Sequence, residues 1–200
     1  MRKWLGYGGI AAGVVLIAFG VGALVLSVAG KNYVKDSLAA EQIVGSPDMT
    51  PAAIAKAADE AGLKNVDLPS CDVAGEKIDT GSEAKCFAEY MRIHALEATG
   101  GKTYAQMPRF ATEDGKGTND PAEAQKDDNG APVSNAQREI WVTETALSTA
   151  LNVSYMADQL GNFGIVVGIA LILAGIGFIV IAASGALKAR EPAGEPVAQT

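Results

Sequence analysis

Residues 159–187 read QLGNFGIVVGIALILAGIGFIVIAASGAL and contain no charged side chain. Asp158 is the last charge before this run, and Lys188 is the first after it. An α-helix rises about 1.5 Å per residue, so about 20 apolar residues cross a hydrocarbon core about 30 Å thick. Backbone amides in lipid have no water to bond, which requires such a segment to be helical. The sequence therefore predicts a transmembrane helix over residues 161–187.

A second uncharged run covers residues 4–30 and follows the positive residues Arg2 and Lys3. Ser27-Val28-Ala29 resembles a small-x-small cleavage site, so a cleaved signal peptide is the alternative interpretation. The apolar regions of signal peptides usually run about 7 to 15 residues, and this run is much longer. The length favours a retained first transmembrane helix, so that residues 1–30 form the N-terminal end and the first span.

Two spans place both termini on the same side of a membrane. Arg2 and Lys3 precede the first span, while Lys188 and Arg190 follow the second, and positive flanks favour the cytoplasmic side. We therefore expect a cell-membrane protein, held in the lipid bilayer, with both termini cytoplasmic. Residues 31–160 then form an extracytoplasmic domain. Residues 188–200, poor in large apolar side chains, are predicted to be a disordered cytoplasmic tail.

Glycines in both runs repeat at a spacing that suits close helix packing. Gly9 and Gly13 in the first span, and Gly164 and Gly168 in the second, each have a small-xxx-small spacing. This spacing lets two helix backbones approach closely in a membrane. Glycine is common in membrane helices, so the spacing alone leaves specific pairing open.

The exported segment is acidic. Residues 31–160 hold 12 Lys or Arg and 21 Asp or Glu, and the whole chain has a formal net charge of −7. A negative surface repels both nucleic acid and anionic lipid headgroups. The expected partners, beyond the bilayer, are therefore other membrane proteins or further copies of this chain, and nucleic acid is not expected.

Start and stop signals predict helices within the exported segment. Residues 31–44 extend the first span, and Gly45-Ser46-Pro47 is expected to end that extension. Thr50 is an N-cap before Pro51 and Gly62 is a C-terminal stop, with Ile54 and Ala58 on the inner face. Thr80 and Glu83 form a capping box for a helix over residues 81–99, which Gly100-Gly101 ends. These elements predict an all-α membrane protein with a helical bundle between two transmembrane helices.

The helix over residues 81–99 has a face that we expect to be buried or to meet a ligand. Phe87, Tyr90, Met91, His94 and Ala98 recur at steps of three and four. His94 is the only histidine of the chain. A functional interpretation makes His94 a pH sensor, ligand or base, and the alternative is a hydrogen-bonded structural residue. The candidate ligand-facing residues are Phe87, Tyr90, Met91 and His94.

The remainder of the segment comprises a polar loop and a long helix. Residues 112–132 have no aromatic side chain and no periodicity, which predicts a flexible surface loop. Their adjacent acidic pairs do not match the alternating ligands of a calcium loop. From Ser134 to Leu160 periodicity returns, and we expect one helix leading into the second span. One side carries Ile140, Leu147, Leu151 and Ser154, and the apolar face is widened by Trp141, Val142, Ala146, Val153 and Met156. This helix is therefore expected to be mostly buried.

Cys71 and Cys86 are the only cysteines, and both lie in the exported segment. An even number of cysteines outside the cytoplasm favours a disulfide. Two thiolates and one distant histidine fall one ligand short of a closed zinc site. We therefore expect a disulfide, no metal and no cofactor.

Three stretches resemble a known family. Residues 33–43 (YVKDSLAAEQI), 78–84 (IDTGSEA) and 100–105 (GGKTYA) are similar to a family of two-span actinobacterial membrane proteins of unknown role, often labelled as aromatic ring-opening dioxygenase subunits. The similarity covers most of residues 1–185. These motifs are structural in character and bring no active-site residue to this chain, and the polar loop and the cysteine pair depart from the family.

The residues argue against catalysis. A non-haem iron oxygenase typically uses two His and one carboxylate, and this chain has one His. The Gly100-Gly101-Lys102-Thr103 turn lacks the spacing of a phosphate-binding loop. We expect a non-enzymatic structural or accessory protein that presents its helical domain to other proteins or to itself. A sensory or ligand-binding module is the alternative, and a subunit of a multi-chain oxygenase is a more remote one.

Overall fold

A computed structural model of the chain describes residues 2–184, with side chains from Gly6 onward. Over this range the chain forms four α-helices and one short 3₁₀ helix, with no β-strand, which confirms the predicted all-α class. The predictions that rest on Lys188, Arg190 and the tail 188–200 lie outside the described residues. The elements are α1 (Arg2–Ala40), α2 (Pro51–Glu60), α3 (Gly81–Ala98), the 3₁₀ helix (Tyr104–Gln106) and α4 (Ala136–Ala183).

The described chain divides into two compact units. Residues 2–30 and 160–184 form the helix-pair unit, and residues 31–159 form the intervening unit. Two helices of the described range, α1 and α4, are long and apolar enough to cross a membrane, with mean hydropathies of 2.5 and 3.0 in their most apolar windows.

The helices of the helix-pair unit meet through glycines. A Cβ built on Gly13 would lie 2.6 Å from the Gly175 carbonyl oxygen, and one built on Gly20 would lie 2.7 Å from that of Gly168. These distances are shorter than carbon and oxygen tolerate without bonding, so only glycine permits this spacing. The residue numbers rise on one helix as they fall on the other, so the pair is antiparallel. We call this row of contacts the glycine seam.

The seam differs in part from the predicted glycine faces. Gly13 and Gly168 lie in it, Gly164 packs against the Ser27 side chain, and Gly9 is partly buried. The residues missed by the four-residue spacing are Gly20 and Gly175. The seam follows a seven-residue repeat because seven residues are two full turns, which bring a helix back to the same partner.

In the intervening unit the predicted caps of α2 and α3 are present. Thr50 Oγ1 accepts a hydrogen bond from Ala53 N at 3.2 Å, and Gly62 follows α2 with φ at 67°. Thr80 Oγ1 accepts from Glu83 N, while Glu83 Oε2 accepts from Thr80 N at 2.9 Å. These bonds satisfy the amides that a helix start leaves unpaired.

The end of α1 falls earlier than predicted. The helix stops at Ala40, and Gln42 takes the left-handed conformation with φ at 54°. Beyond it the backbone pairs with a later segment, since Ile78 N donates to Ile43 O at 3.0 Å and Gly45 N donates to Glu76 O at 2.9 Å. In a continuing helix, the Ile43 carbonyl and the Gly45 amide would point along the helix axis and could not reach residues 76–78. The pairing with that segment therefore ends α1 before Gly45.

The predicted disulfide is present. Cys71 and Cys86 are bonded, with their Cα atoms 6.1 Å apart, and the bridge fastens the loop before α3 to the first turns of α3. The core around it lies within residues 31–159 and draws on all four helices and the loops between them. Its buried members are Val34, Leu38, Met49, Ile54, Ala58, Val73, Ile78, Ala84, Cys86, Ala88, Tyr90, Ile93, Ala95, Leu96, Met107, Trp141 and Leu151.

The expectation that α4 is mostly buried before the span is wrong. Trp141 and Leu151 are buried, but Val142, Val153 and Met156 are 51%, 58% and 70% exposed. Three packed helices and their loops cover one side of a helix and leave the opposite side bare, so only the side of α4 toward α3 enters the core.

Backbone hydrogen bonds connect the segment of residues 112–132 to itself and to its flanking residues. Phe110 exchanges two with Thr118, at 2.9 and 3.0 Å, and Ala111 N donates to Val133 O at 2.9 Å. Asp114 accepts hydrogen bonds from Thr112 Oγ1 and from Lys116 N, and these hold the pKa of its carboxyl below the usual range. These bonds close small turns, and the flexibility of the segment stays a prediction.

Candidate functional site

An open groove of about 470 Å³ lies between α3 and α4 in the intervening unit. Its floor is apolar and its rim holds one imidazole and two carboxylates. The groove brings together two of the four candidate ligand-facing residues, Met91 and His94. Its lining residues are Met91, His94, Ala95, Glu139, Ile140, Thr143 and Glu144.

His94 is held between two carboxylates. Its Nδ1 lies 2.8 Å from Glu97 Oε2, one turn further along α3, and its Nε2 lies 3.5 Å from Asp48 Oδ2 in the loop before α2. The pKa of Asp48 is below its usual range, chiefly because Ser46 Oγ donates to its carboxylate, with a smaller contribution from His94. His94 is therefore a partly exposed, hydrogen-bonded residue that joins α3 to the loop before α2.

Glu144 is the most buried acidic side chain of the groove, with 6% of its surface exposed. Ser148 Oγ donates to its Oε1 at 2.8 Å, and Thr145 Oγ1 donates to its Oε2 at 3.3 Å. Both donors are hydroxyls of the same helix. A buried carboxylate without a cationic partner attracts a positive group in its neighbourhood.

The other two candidate residues do not face the groove. Tyr90 is fully buried, and its hydroxyl donates to the Cys71 carbonyl oxygen at 2.6 Å. Burial is the main cause that raises the pKa of Tyr90, and the nearby Asp72 and Glu89 add to it. Phe87 is half-buried and packs on the core. Tyr90 thus joins α3 to the disulfide loop, and Phe87 contributes to the packing around the core.

The Gly100-Gly101-Lys102-Thr103 turn anchors α4. Gly100 and Gly101 have φ angles of 61° and 76°, which favour glycine, and the turn exposes the Lys102 carbonyl oxygen. Trp141 Nε1 donates to that oxygen at 2.7 Å and reaches Thr99 Oγ1 at 3.2 Å. The guanidinium of Arg92 stacks on the Trp141 ring at 5.2 Å. These contacts hold the turn against α4.

A second cleft of about 680 Å³ lies beneath the loop of residues 65–70, beside α3. Polar backbone and the side chains of Glu89 and Arg92 border it. Arg92 also stacks on Trp141, so its charge is already engaged. Sequence reasoning missed both this cleft and Glu144, because neither arises from a local pattern.

Among residues 2–184, no group of three or more His, Cys, Asp or Glu side chains is placed to hold a metal ion. The acidic residues around His94 thus approach it without forming a coordination shell. Comparison of the chain with family models, curated proteins and solved structures gives no significant match. The resemblance to the actinobacterial two-span family stays a prediction.

Proposed function

We propose that this chain is an integral membrane protein without catalytic activity, a structural or accessory component that presents a helical domain to other membrane proteins or to itself. Its two apolar helices are the spans, and the intervening unit is the presented domain on the extracytoplasmic side. The positive charges that flank the spans support a cytoplasmic position for both termini.

The observation that carries the membrane proposal is the apolar surface that the helix pair leaves exposed. Only 11% of the most apolar window of each helix is buried. Leu26, Phe163 and Leu173 are 75%, 65% and 64% exposed. In water, apolar surface costs about 25 cal/mol for each Å², and soluble monomers rarely expose large continuous patches of it. A hydrocarbon surrounding removes that cost.

The ends of the apolar runs support the same boundaries. Lys31 is the first charge after the first run, and Asp158 is the last before the second. Their side chains form an ion pair at 2.6 Å, with 31% and 16% of the side-chain surfaces exposed. The two charges that end the apolar runs on the side of the intervening unit thus pair with each other.

The accessory role is supported by how the polar groups of the intervening unit are used. Trp141, Tyr90 and Thr99 donate their hydrogen bonds to neighbouring backbone carbonyls. Such bonds fix a rigid surface, which suits recognition of another protein. The domain would therefore offer a partner a surface of fixed shape.

The membrane proposal is tested by fractionation and by labelling. We expect the full-length chain to stay in the membrane pellet after an alkaline carbonate wash. Intact mass should show residues 1–30 retained, which excludes the cleaved-signal alternative. A single cysteine introduced at Asn129 should react with an impermeant maleimide in intact cells, and one introduced at Ala189, beyond the second span, only after lysis. Release by carbonate, or labelling in the reverse pattern, contradicts the proposal.

The accessory role is tested by purifying the tagged full-length chain from its native membrane in mild detergent and identifying what accompanies it. A stoichiometric set of membrane proteins, or a homo-oligomer, is the expected result. A protein recovered alone and monomeric contradicts presentation to a partner and favours ligand binding instead.

Ligand binding at the groove is the second candidate function, favoured by the position of Glu144 and Glu139 over an apolar floor. The chemistry fits a small organic cation with an apolar body. Butylamine at millimolar concentration should then raise the melting temperature of the purified protein. Thr143→Trp, which fills the groove, should abolish the increase, whereas Leu147→Trp on the same helix outside the groove should keep it. An equal response from both variants would mean that the amine binds elsewhere.

A further inference from the structure

The part of α4 in the intervening unit carries a row of mostly apolar side chains that no other described element of that unit covers. Every member of the row is exposed, and Val142, Val153 and Met156 are exposed over half or more of their surfaces. We call this row the α4 stripe. Its members are Val142, Ala146, Thr149, Val153 and Met156.

The stripe has the spacing of a helix-pairing seam. Its members are separated by four, three, four and three residues, a repeat of seven. Such a repeat keeps its residues on one face and is the pattern by which helices pair side by side. The same steps continue in the sequence to Leu160 and Phe163. A chance scatter of exposed apolar residues would not keep this register.

Thr149 is the one polar member of the stripe, and it lies at its centre. Its side chain is small and uncharged, and its methyl group can pack among apolar neighbours. A single polar residue within an otherwise apolar seam is a known means of fixing the register of two paired helices. The position of Thr149 is thus compatible with a seam, at some cost in stability.

The stripe is not needed to hold α4 in its own chain. The opposite side of the helix does that, through the buried residues Trp141, Glu144 and Leu151. Trp141 contributes a hydrogen bond as well as its area. The stripe is thus available to a partner without any change in the fold of the intervening unit.

The charge distribution selects the kind of partner. Four of the five stripe residues, all except Val142, lie between Glu144 and Asp158, a segment without a charged residue, although residues 31–160 hold 12 basic and 21 acidic side chains. The positions that flank this part of the stripe, Thr145, Ala150 and Asn152, are also uncharged. A partner selected by opposite charge would need charges at such flanking positions. An identical acidic chain meets less charge repulsion along a neutral face such as this one than along a charged one.

We propose that the α4 stripe is the surface through which two copies of this chain associate, α4 against α4 in parallel. The inference rests on the proposed function, because two copies in one membrane point the same way and are related by a two-fold axis along the membrane normal. Each stripe residue then meets its own counterpart. Ala146 allows the backbones to approach, the two Thr149 hydroxyls meet at the centre, and Val142, Val153 and Met156 fill the space on either side.

Single cysteines in the full-length chain, in native membranes, test the pairing. The two natural cysteines are bonded to each other and do not take part. Across a parallel two-fold seam, a cysteine at position 142 or 149 lies within disulfide reach of its counterpart, at a Cβ separation of about 4 Å. We expect Val142→Cys and Thr149→Cys each to give a covalent dimer on mild oxidation. Leu147→Cys, 48% exposed on another side of the same helix, should stay monomeric.

Charge substitution is the second measurement. Val153→Glu places two carboxylates opposite each other at the seam, so we expect the dimer dissociation constant in detergent to rise at least tenfold. Leu147→Glu, matched in exposure and chemistry, should leave it unchanged. Both positions are on the surface, and retention of the Cys71–Cys86 disulfide and of the natural tryptophan fluorescence confirms that each variant folds.

The outcomes separate this inference from the proposed function. A dimer that cross-links at position 147 and not at 149 overturns the stripe as the seam. Cross-linking at 149 without 142 overturns the parallel arrangement, because only the middle of the stripe meets itself in an antiparallel pair. A stoichiometric complex with a different protein, without cross-linked dimers, overturns self-association and leaves the accessory role standing. A monomer without partners overturns both.

Discussion

Gly20 lies where the two apolar helices are closest. A Cβ there would be 2.7 Å from the Gly168 carbonyl oxygen and 2.7 Å from Ile172 Cγ1. The carbonyl belongs to the helix backbone and cannot turn away, so a larger residue must separate the helices. Gly22, two positions further along and off the seam, has open space around the same point. The two glycines therefore form a matched pair for measuring what close approach contributes.

We expect Gly20→Ala to destabilise the helix pair by about 1–3 kcal/mol, the usual cost of forcing an extra methyl group into a packed contact. Gly22→Ala should change it by less than about 0.5 kcal/mol. Unfolding of the full-length chain with increasing SDS in mixed micelles measures both. Equal effects of the two substitutions would mean that the seam does not hold the helices together.

We expect the free energy of unfolding to fall at high pH because of Tyr90. The hydroxyl is buried and its pKa is raised, so the unfolded tyrosine ionises first as the pH passes about 10. The folded state then holds more protons than the unfolded one, and the free energy of unfolding decreases as the pH rises further. Tyr90→Phe should lower the free energy of unfolding by about 1–2 kcal/mol at pH 8, because the Cys71 carbonyl oxygen loses the hydrogen bond from the tyrosine hydroxyl. The variant should also lose less stability than the natural chain between about pH 9 and pH 11.

Chemical denaturation at several pH values makes that comparison. Tyr33→Phe is the control, since Tyr33 is 74% exposed and its hydroxyl is not held in the core. A Tyr90→Phe variant that keeps the full alkaline loss of the natural chain would assign that loss to other groups.

Single residues that begin or end helices were predictable from the sequence. Thr50, Thr80, Glu83 and Gly62 act through bonds within four residues of themselves, so local spacing contains the needed information. The buried face of α3 could not be predicted from the sequence in the same way. The aromatic and sulfur-containing residues suggested one face, whereas the structure buries most of the alanines of α3 and leaves Met91 and His94 only partly buried. Alanine is buried here because α3 closely approaches its neighbours, which is a property of the partners.

At the scale of the element, Trp141 is the main attachment of α4 to the end of α3. Its ring lies in the core, and its Nε1 donates to the Lys102 carbonyl oxygen at 2.7 Å. We expect Trp141→Phe to reduce the free energy of unfolding of the intervening unit by about 1–3 kcal/mol, because the indole hydrogen bond and some buried apolar area are lost. Near-ultraviolet circular dichroism during urea unfolding gives this value.

The matched control on the same helix is Leu147→Ala. Leu147 is 48% exposed, and surface substitutions usually change stability by less than about 0.5 kcal/mol. A loss as large as that of Trp141→Phe would mean that the helix is held over a wider face than the structure shows.

For the long helices, the sequence predicted the helices themselves but not which of their apolar faces are buried. Apolar length predicted α1 and α4, and α4 continues unbroken from Ala136 to Ala183 as expected. Periodicity also indicated an apolar face on α4 without saying which partner covers it, and an exposed stripe has the same pattern as a core face. A period reports that a face is apolar, and only the number of packed neighbours decides whether that face is buried. For the same reason, the sequence indicated Met91 and His94 of the groove but neither Ala95 nor Glu144.

At the scale of the whole molecule, the core is confined to one part of the chain. Every buried residue of the core cluster lies between Val34 and Leu151. We therefore expect residues 31–159, produced alone in an oxidising compartment, to fold cooperatively. Trp141 is the only tryptophan of that fragment, because the other is Trp4, so its emission reports folding without interference.

The fragment should show blue-shifted emission and a single unfolding transition. The double substitution Cys71→Ser and Cys86→Ser is the control, expected to lower stability by about 3 kcal/mol through the loss of loop closure. An unfolded fragment with a solvent-exposed tryptophan would show that the intervening unit depends on the apolar helices for its stability.

The two halves of the glycine seam are synthesised at different times. Gly13 and Gly20 leave the ribosome long before Gly168 and Gly175, because the whole of Lys31–Gln159 is made in between. At about 5–20 residues per second, those 129 residues take roughly 6 to 26 s. In the proposed membrane arrangement, the first helix spends that interval in the bilayer with its glycines against lipid. Its insertion would then depend on its own apolar length, and the seam would form only after the second helix is inserted.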